Sequence, residues 1–301
     1  MSAEEEILGK KKLIMMGLAQ AGKTTIRRAV ISGLSGDELE RYDATIDYER
    51  ETKRIAGESL SVIDIGGQES FLEKYTGEMA EFAFSEVASM IYVIDVSELS
   101  RLPRSVYYFA AACKKLEEFS PDARIYCFLH KVDLLEPETT QETLDMVKSM
   151  MGPDIPGTVE YLPTSIYDGS AYMAMSEAVS IFLGKKGDIL GSMERFAEKY
   201  QTTRICLYSR EGIPITTFGK DSSTWQVNEK LLFSAMFRIL NQIDPSEALS
   251  ANFIIGRNHY LFLLVVDENT LLSATTRKIP ELERVLADVY TMRDELRVLV
   301  Q

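Results

Sequence analysis

Histidine, cysteine and tryptophan are scarce here: 301 residues include two histidines, three cysteines and one tryptophan. His130 and His259 are far apart, and Cys113, Cys127 and Cys206 are scattered with no pair at metal or redox spacing. This argues against a zinc centre, a disulfide framework and a Ser-His-Asp triad. Cys127, inside an apolar run, reads as a small buried hydrophobe. Positive charge is also short: 33 Lys and Arg against 46 Asp and Glu leave a net charge of −13. A field of that sign opposes binding to nucleic acid or anionic lipid. The one basic run, Lys10-Lys11-Lys12, reads as a solvated approach to a strand. No hydrophobic stretch approaches the length of a membrane span. The opening Met-Ser-Ala-Glu-Glu-Glu has neither the apolar core of a signal peptide nor a myristoylation glycine, and Val298-Leu299-Val300-Gln301 has no prenylation cysteine. The expectation is a cytoplasmic protein, with no nucleic-acid partner and no direct lipid anchor, recruited to membranes only through other proteins.

What is present is apolar residue, 46% of the chain, enough for real cores over a length that suggests two domains. Residues 1–185 alternate strand and helix signals, the α/β pattern of a mostly parallel sheet with helices on both faces. Strand-like runs fall at Lys12–Met16, Ser59–Ile63, Ser89–Val93, Arg124–Phe128 and near Val159–Leu162. Gly57 separates an extended stretch, Tyr48–Ala56, from the next strand, which predicts a hairpin and one antiparallel edge strand. Helices are expected at Thr24–Ile31, Phe71–Ala83, Pro103–Phe119, Pro137–Met151 and Ser170–Leu183. Gly184-Lys185-Lys186-Gly187 marks a boundary. Residues 186–301 then follow an α-β-β-α-β-β-β-α order, an α+β domain with an antiparallel sheet. Its helices are Asp188–Tyr200, Gln226–Ile243 and Pro280–Leu299; its strands are Arg204–Ser209, Pro214–Phe218, Ala251–Gly256, Tyr260–Val266 and Thr270–Thr276.

Gly17 to Thr24 read Gly-Leu-Ala-Gln-Ala-Gly-Lys-Thr, the phosphate-cradling spacing G-x-x-x-x-G-K-[ST], between an apolar strand and a helix start. Backbone N–H groups of Ala19, Gln20, Ala21, Gly22 and the first helical residues, including Thr25, converge there on an anion that the helix dipole also favours. Gly17 and Gly22 permit the tight turn. Lys23 would reach the β- and γ-phosphates, and Thr24 would offer its hydroxyl to Mg²⁺. Asp64-Ile65-Gly66-Gly67-Gln68-Glu69 follows an apolar strand. Asp64 suits the metal, the Gly67 N–H a γ-phosphate, and Gln68 an attacking water. In His130-Lys131-Val132-Asp133, Asp133 can accept two hydrogen bonds from guanine, where adenine presents the wrong pattern. The Lys131 stem can lie along the base. Thr164-Ser165-Ile166 could bring backbone N–H groups of Ser165 and Ile166 to the base oxygen, and Thr45 is a candidate second hydroxyl on Mg²⁺. All five segments fall at carboxyl ends of successive strand-like runs, which in an open parallel sheet converge on one crevice.

Together these motifs resemble the Ras superfamily of GTPases. His130 in place of the usual Asn, the Ala44-Thr45-Ile46-Asp47 segment and Thr164-Ser165-Ile166-Tyr167-Asp168 narrow the resemblance to the Rag/Gtr branch. The resemblance implies GTP/GDP and Mg²⁺ as ligands and a C-terminal roadblock-type (longin-like) domain. It also implies pairing through that domain as a homo- or heterodimer, or with a separate roadblock protein, and activating and effector proteins as further partners. The implied intrinsic hydrolysis is slow, on the order of 10⁻⁴ to 10⁻³ s⁻¹. Catalytic roles fall to Gln68, Lys23 and Gly67. Ala19 stands where many members have Gly, and His130 forfeits whatever the usual Asn contributes to loop anchoring and base contact. No arginine is placed as a finger in cis; Arg41 and Arg50 read as solvated. Two other readings compete: a nucleotide-locked scaffold without regulated turnover, and a P-loop ATPase or kinase, against which Asp133 argues.

Overall fold

The computed structural model describes residues 11–31, 45, 47–55, 58–152, 155–156, 158–168, 170–180, 182, 186–200, 202, 204–209, 214–219, 250–255, 259–277 and 281–300. The chain divides into two compact units, Met1–Lys53 with Ser59–Phe182, and Arg54–Glu58 with Leu183–Gln301.

The first unit is built on a six-stranded sheet in the order β2-β3-β1-β4-β5-β6. Its strands are β1 (Lys11–Met16), β2 (Tyr48–Ile55), β3 (Glu58–Ile65), β4 (Val87–Asp95), β5 (Arg124–His130) and β6 (Glu160–Thr164). β1 pairs in parallel with β3 and β4, β4 with β5, and β5 with β6. β2 lies at the edge beside β3 after a two-residue connection, which only antiparallel pairing can span. This is the expected hairpin edge. β1, β4 and β5 are buried along nearly their whole length, as parallel strands covered on both faces must be.

Helices α1 (Lys23–Ile26), α2 (Glu69–Thr76), α3 (Ala80–Phe84), α4 (Leu102–Phe119), α5 (Thr140–Ser149) and α6 (Ser170–Ser180) connect the strands. α4 packs its apolar face on β4, where Tyr92 and Phe109 stack at 4.6 Å and the Tyr92 hydroxyl donates to the Ser105 carbonyl. The single helix expected over Phe71–Ala83 is two: Gly77 ends α2, and the Met79 N–H closes back on the Lys74 carbonyl before α3 begins. The helix expected over Thr24–Ile31 is α-helical only to Ile26 and continues as a π-helical turn, Arg27–Ile31.

The second unit holds a five-stranded sheet in the order β8-β7-β11-β10-β9, antiparallel throughout its described pairs. Its strands are β7 (Arg204–Ser209), β8 (Pro214–Gly219), β9 (Ser250–Ile255), β10 (His259–Val265) and β11 (Thr270–Arg277). Helices α7 (Lys186–Tyr200) and α8 (Leu282–Leu299) are joined by Arg195 and Ser192 on Glu295, at 2.8 and 2.7 Å, and by Lys199 and Tyr200 on Asp288. This antiparallel sheet with helices fits the roadblock-type arrangement. The amphipathic helix expected over Gln226–Ile243 lies outside the described residues.

Candidate functional site

The phosphate loop leaves β1 at Gly17 and enters α1 at Lys23. Gly22 caps the helix at φ +95°, and a Cβ there would lie 2.5 Å from the His130 ring. Left-handed backbone and lack of space both demand glycine. Lys23 is buried, its Nζ donating to the carbonyls of Gly17 at 2.9 Å and Leu18 at 3.0 Å. Burial pushes its pKa down to about 8, opposed by Asp64 and reinforced by the positive charge of Arg101. An anion in the loop would reverse that penalty. The first turn of α1, with Thr24 and half-buried Thr25, leaves its N–H groups without intrahelical acceptors and open to an anion.

Asp64, near the end of β3, is fully buried, and burial raises its pKa. Its Oδ2 accepts from Thr24 Oγ1 at 2.9 Å and from Thr45 Oγ1 at 3.5 Å, and the two threonine hydroxyls meet at 2.8 Å. Asp64 Oδ1 has no hydrogen-bond partner. Two hydroxyls and a carboxylate with an orphaned buried oxygen form a hard-oxygen donor set that fits a divalent cation such as Mg²⁺. The structure thus brings Thr24, Thr45 and Asp64 together as the sequence predicts.

Gly67 lies directly on the phosphate loop. Its carbonyl accepts the Ala19 N–H at 2.6 Å, and a Cβ there would sit 2.4 Å from Ala19 N and 2.5 Å from Lys23 Nζ. Ala19 and Ala21 therefore spend their N–H groups inside the protein here, Ala21 on the Leu18 carbonyl at 3.3 Å. Gln68 is exposed and caps α2 through its backbone, its carbonyl accepting from Phe71 and Leu72 at 3.0 and 3.1 Å. The next residue, Glu69, is held by Arg104 of α4 at 2.6 Å. Asp47, at φ +66°, ties the chain entering β2 to α2: its carboxylate accepts from Lys74 at 2.8 Å and from Tyr75 at 2.9 Å. Its carbonyl takes the Gly66 N–H at 2.8 Å.

The loop that carries Lys131 and Asp133 follows β5. His130 is buried, its ring against Gly22 and its Nδ1 3.0 Å from Thr164 Oγ1. Burial, reinforced by the Lys131 charge, lowers its pKa to about 4, so the imidazole is neutral near pH 7. Whatever the usual Asn would contribute, the His130 ring here touches both the phosphate loop, at Gly22, and β6, at Thr164. Lys131, in the left-handed region at φ +67°, donates to the Gln20 carbonyl at 2.9 Å and to Asp95 Oδ2 at 2.6 Å. Asp133 is exposed in the following 3₁₀ turn, where a ligand can reach it. The Ser165 N–H is taken by Ser170 Oγ at 2.7 Å, so it is not available to a base oxygen in this arrangement. A base oxygen would have to displace the Ser170 hydroxyl to reach it. Sequence reasoning missed Asp95, which its place at the carboxyl end of β4 could have flagged. It also missed Arg27, Asp47 and Arg104, whose partners are distant in sequence.

Comparison with known proteins agrees with this geometry. The model of the Gtr1/RagA G protein conserved region matches residues 12–235. The GTP-binding protein GTR1 of Saccharomyces cerevisiae is 32% identical over 67% of this chain and 66% of its own length. The GTP-binding protein gtr1 of Schizosaccharomyces pombe is 27% identical over 91% of this chain and 90% of its own length. The Ras-related GTP-binding protein A of Dictyostelium discoideum is 28% identical over 67% of each. Among solved structures, the Arl6 BBS3 small GTPase from Trypanosoma brucei, 22% identical, covers 56% of this chain and 95% of its own with a TM-score of 0.44. With a family model matching most of its length and a relative 32% identical over 67% of it, the chain belongs to the Gtr1/RagA G protein family.

Proposed function

We infer that this chain is a GTP-binding switch whose loops close on the γ-phosphate and relax after hydrolysis. As a Gtr1/RagA protein it is a GTPase that uses Mg²⁺. The observation that carries the reading is Lys131: one ammonium joins the base-reading loop to the phosphate loop through Gln20 O and to the sheet through Asp95. Base and phosphate contacts are thereby parts of one site. Asp133 selects guanine by accepting from its ring N–H and amino group. Lys23 and the N–H groups at the start of α1 hold the phosphates. Thr24, Thr45 and Asp64 would hold Mg²⁺, which when bound neutralises charge developing on the phosphate oxygens. Gln68 orients water, and its exposure at the head of α2 suits a residue completed by an activating partner. The Ala19 N–H, now on the Gly67 carbonyl, becomes available to phosphate when Gly67 lifts and turns its own N–H inward. Such ordering and release of loops is the switch.

Dimerisation through the second unit, with itself, a paralogue or a roadblock protein, belongs to the same reading. So do activating and effector partners and a cytoplasmic location with recruitment to membranes by those partners. The apolar positions of the segment Gln226–Ile243, among them Leu232, Phe233, Met236 and Leu240, support an interface. The deciding experiment is the identity of nucleotide released when freshly purified protein is denatured. GDP or GTP is expected. ATP, or no nucleotide, would overturn the assignment of Asp133 and His130.

A further inference from the structure

Arg27 opens the π-helical turn after α1, and its side chain is only 7% exposed. Its Nε lies 3.4 Å from Asp64 Oδ2, and one terminal nitrogen lies 3.0 Å from Glu51 Oε2 while the other bonds the Glu49 carboxylate. Glu49 and Glu51 stand two residues apart on β2 and so share a face. One buried guanidinium therefore gathers three carboxylates: one from the candidate metal site and two from the edge strand of the sheet. Arg27 is the first residue of that π turn, a local widening of the helix that is frequent at functional sites.

A buried carboxylate is costly unless a cation or donors compensate it. Asp64 Oδ2 has Thr24, Thr45 and Arg27; Oδ1 has no hydrogen-bond partner. With a divalent cation bound beside Thr24 and Thr45, Asp64 would give less of its charge to Arg27. The planar fork of Arg27 can then give its full strength to the glutamates, as one compact ammonium could not. β2 has a strand neighbour on one side only, and the Arg27 pairs hold its start together with Arg28 on Glu49 at 3.6 Å and Asp47 on Lys74 and Tyr75.

We propose that Arg27 is a positioning residue that competes with the divalent cation for Asp64 and transmits the result to β2 through Glu49 and Glu51. The proposal rests on the metal reading given above. It assigns metal sensing to the rear of the site rather than to the loops over the phosphate.

The test uses the full chain loaded with a fluorescent GDP, its release followed against free Mg²⁺, with hydrogen exchange of residues 48–52 measured with and without the metal. In the unaltered protein, Mg²⁺ slows release and changes exchange in this segment. Arg27→Gln should lower the half-effective Mg²⁺ three- to tenfold and abolish the exchange response. The double variant Glu49→Gln/Glu51→Gln retains Arg27 and Asp64 and should raise the half-effective Mg²⁺ by a similar factor, again without an exchange response. Because the two shifts are opposite, the second variant decides the matter if the first does not fold. Arg27→Lys should restore the Mg²⁺ midpoint but not the response of β2. A midpoint within twofold of the unaltered protein in whichever of Arg27→Gln and Glu49→Gln/Glu51→Gln folds, or an exchange response that survives in any of the three variants, would overturn the proposal. If release from the unaltered protein ignores Mg²⁺ altogether, the metal reading falls and the proposal with it.

Discussion

Truncating His130 should weaken the nucleotide-binding unit more than any exposed change in the site. The ring is 3% exposed, so His130→Ala opens a cavity between the phosphate loop and β6, at a cost of about 2–3 kcal/mol. It also strands the hydroxyl of Thr164, which is fully buried, for about 1–2 kcal/mol more. The sum, roughly 3–5 kcal/mol, is a large part of the stability of an ordinary domain. His130→Asn keeps an amide near the position of Nδ1 and so keeps the Thr164 bond. Its cost should be about 1–2 kcal/mol, from the cavity alone. The assay is urea unfolding at fixed GDP and Mg²⁺, following release of a fluorescent GDP so that only this unit is read. At a slope of about 2 kcal/mol/M, His130→Ala should move the midpoint down by about 1.5–2.5 M and His130→Asn by less than about 1 M. A His130→Ala midpoint within about 0.3 M of the unaltered protein, or an Asn variant as weak as the Ala variant, would refute the anchoring role. Acid gives a second reading. Burial holds the folded pKa near 4, below the unfolded value of about 6.5, so the unfolded chain takes the proton first. The stability is complete above pH 6.5 and falls as pH drops toward 4, by about 3 kcal/mol in total. That increment should be missing from the acid curve of His130→Asn.

Gln68→Leu should abolish most activator-stimulated hydrolysis while retaining GTP binding; single-turnover rates equal to the unaltered protein would remove Gln68 from the water-positioning role. Asp133→Ala, at an exposed position, should leave the unfolding midpoint of the nucleotide-free protein unchanged yet weaken GDP binding about 100-fold or more in a competition assay. Equal affinity for ATP and GTP before the substitution would contradict the guanine reading. Gly67→Ala places a methyl 2.4 Å from the backbone of Leu18 and Ala19 and so holds the Gly67 loop off the phosphate loop; GDP should still bind while hydrolysis falls about 10²- to 10³-fold. An unimpaired Gly67→Ala enzyme would mean that the two loops need not meet. Light scattering of the purified chain at micromolar concentration should give a dimer mass, or a monomer that dimerises on addition of a roadblock-domain partner; a persistent monomer in both cases would count against pairing through the second unit.

Local chemistry made much of the first unit legible. The phosphate loop announces itself because its glycines, lysine and threonine must stand at fixed spacing between a strand and a helix. The parallel strands announce themselves because burial on both faces demands continuous apolar runs such as Leu13–Met16. The misreadings have physical causes as well. Phe71–Ala83 keeps a helical apolar period across Gly77, so periodicity alone conceals the break. The π turn at Arg27–Ile31 has no composition signal. The motif at Ser165 gives no sign that Ser170, five residues later, supplies a hydroxyl to its N–H.

The contacts that join the motifs were hidden for a different reason: most of them run through backbone atoms of the phosphate loop. Lys131 reaches the Gln20 carbonyl, Gly67 takes the Ala19 N–H, Lys23 is held by the carbonyls of Gly17 and Leu18, and the His130 ring lies on Gly22. None of these depends on which side chain Leu18, Ala19 or Gln20 carries, so the loop can vary there without losing its neighbours. What cannot vary is where the backbone goes. That divides the site into positions a motif can specify, Gly22, Lys23 and Thr24, and positions that only the assembled sheet can bring within reach. The departure of Ala19 from glycine is tolerated on this account because its N–H, rather than its methyl, meets Gly67. His130 is tolerated in place of Asn because the ring finds both a hydroxyl on β6 and a glycine without a Cβ beneath it.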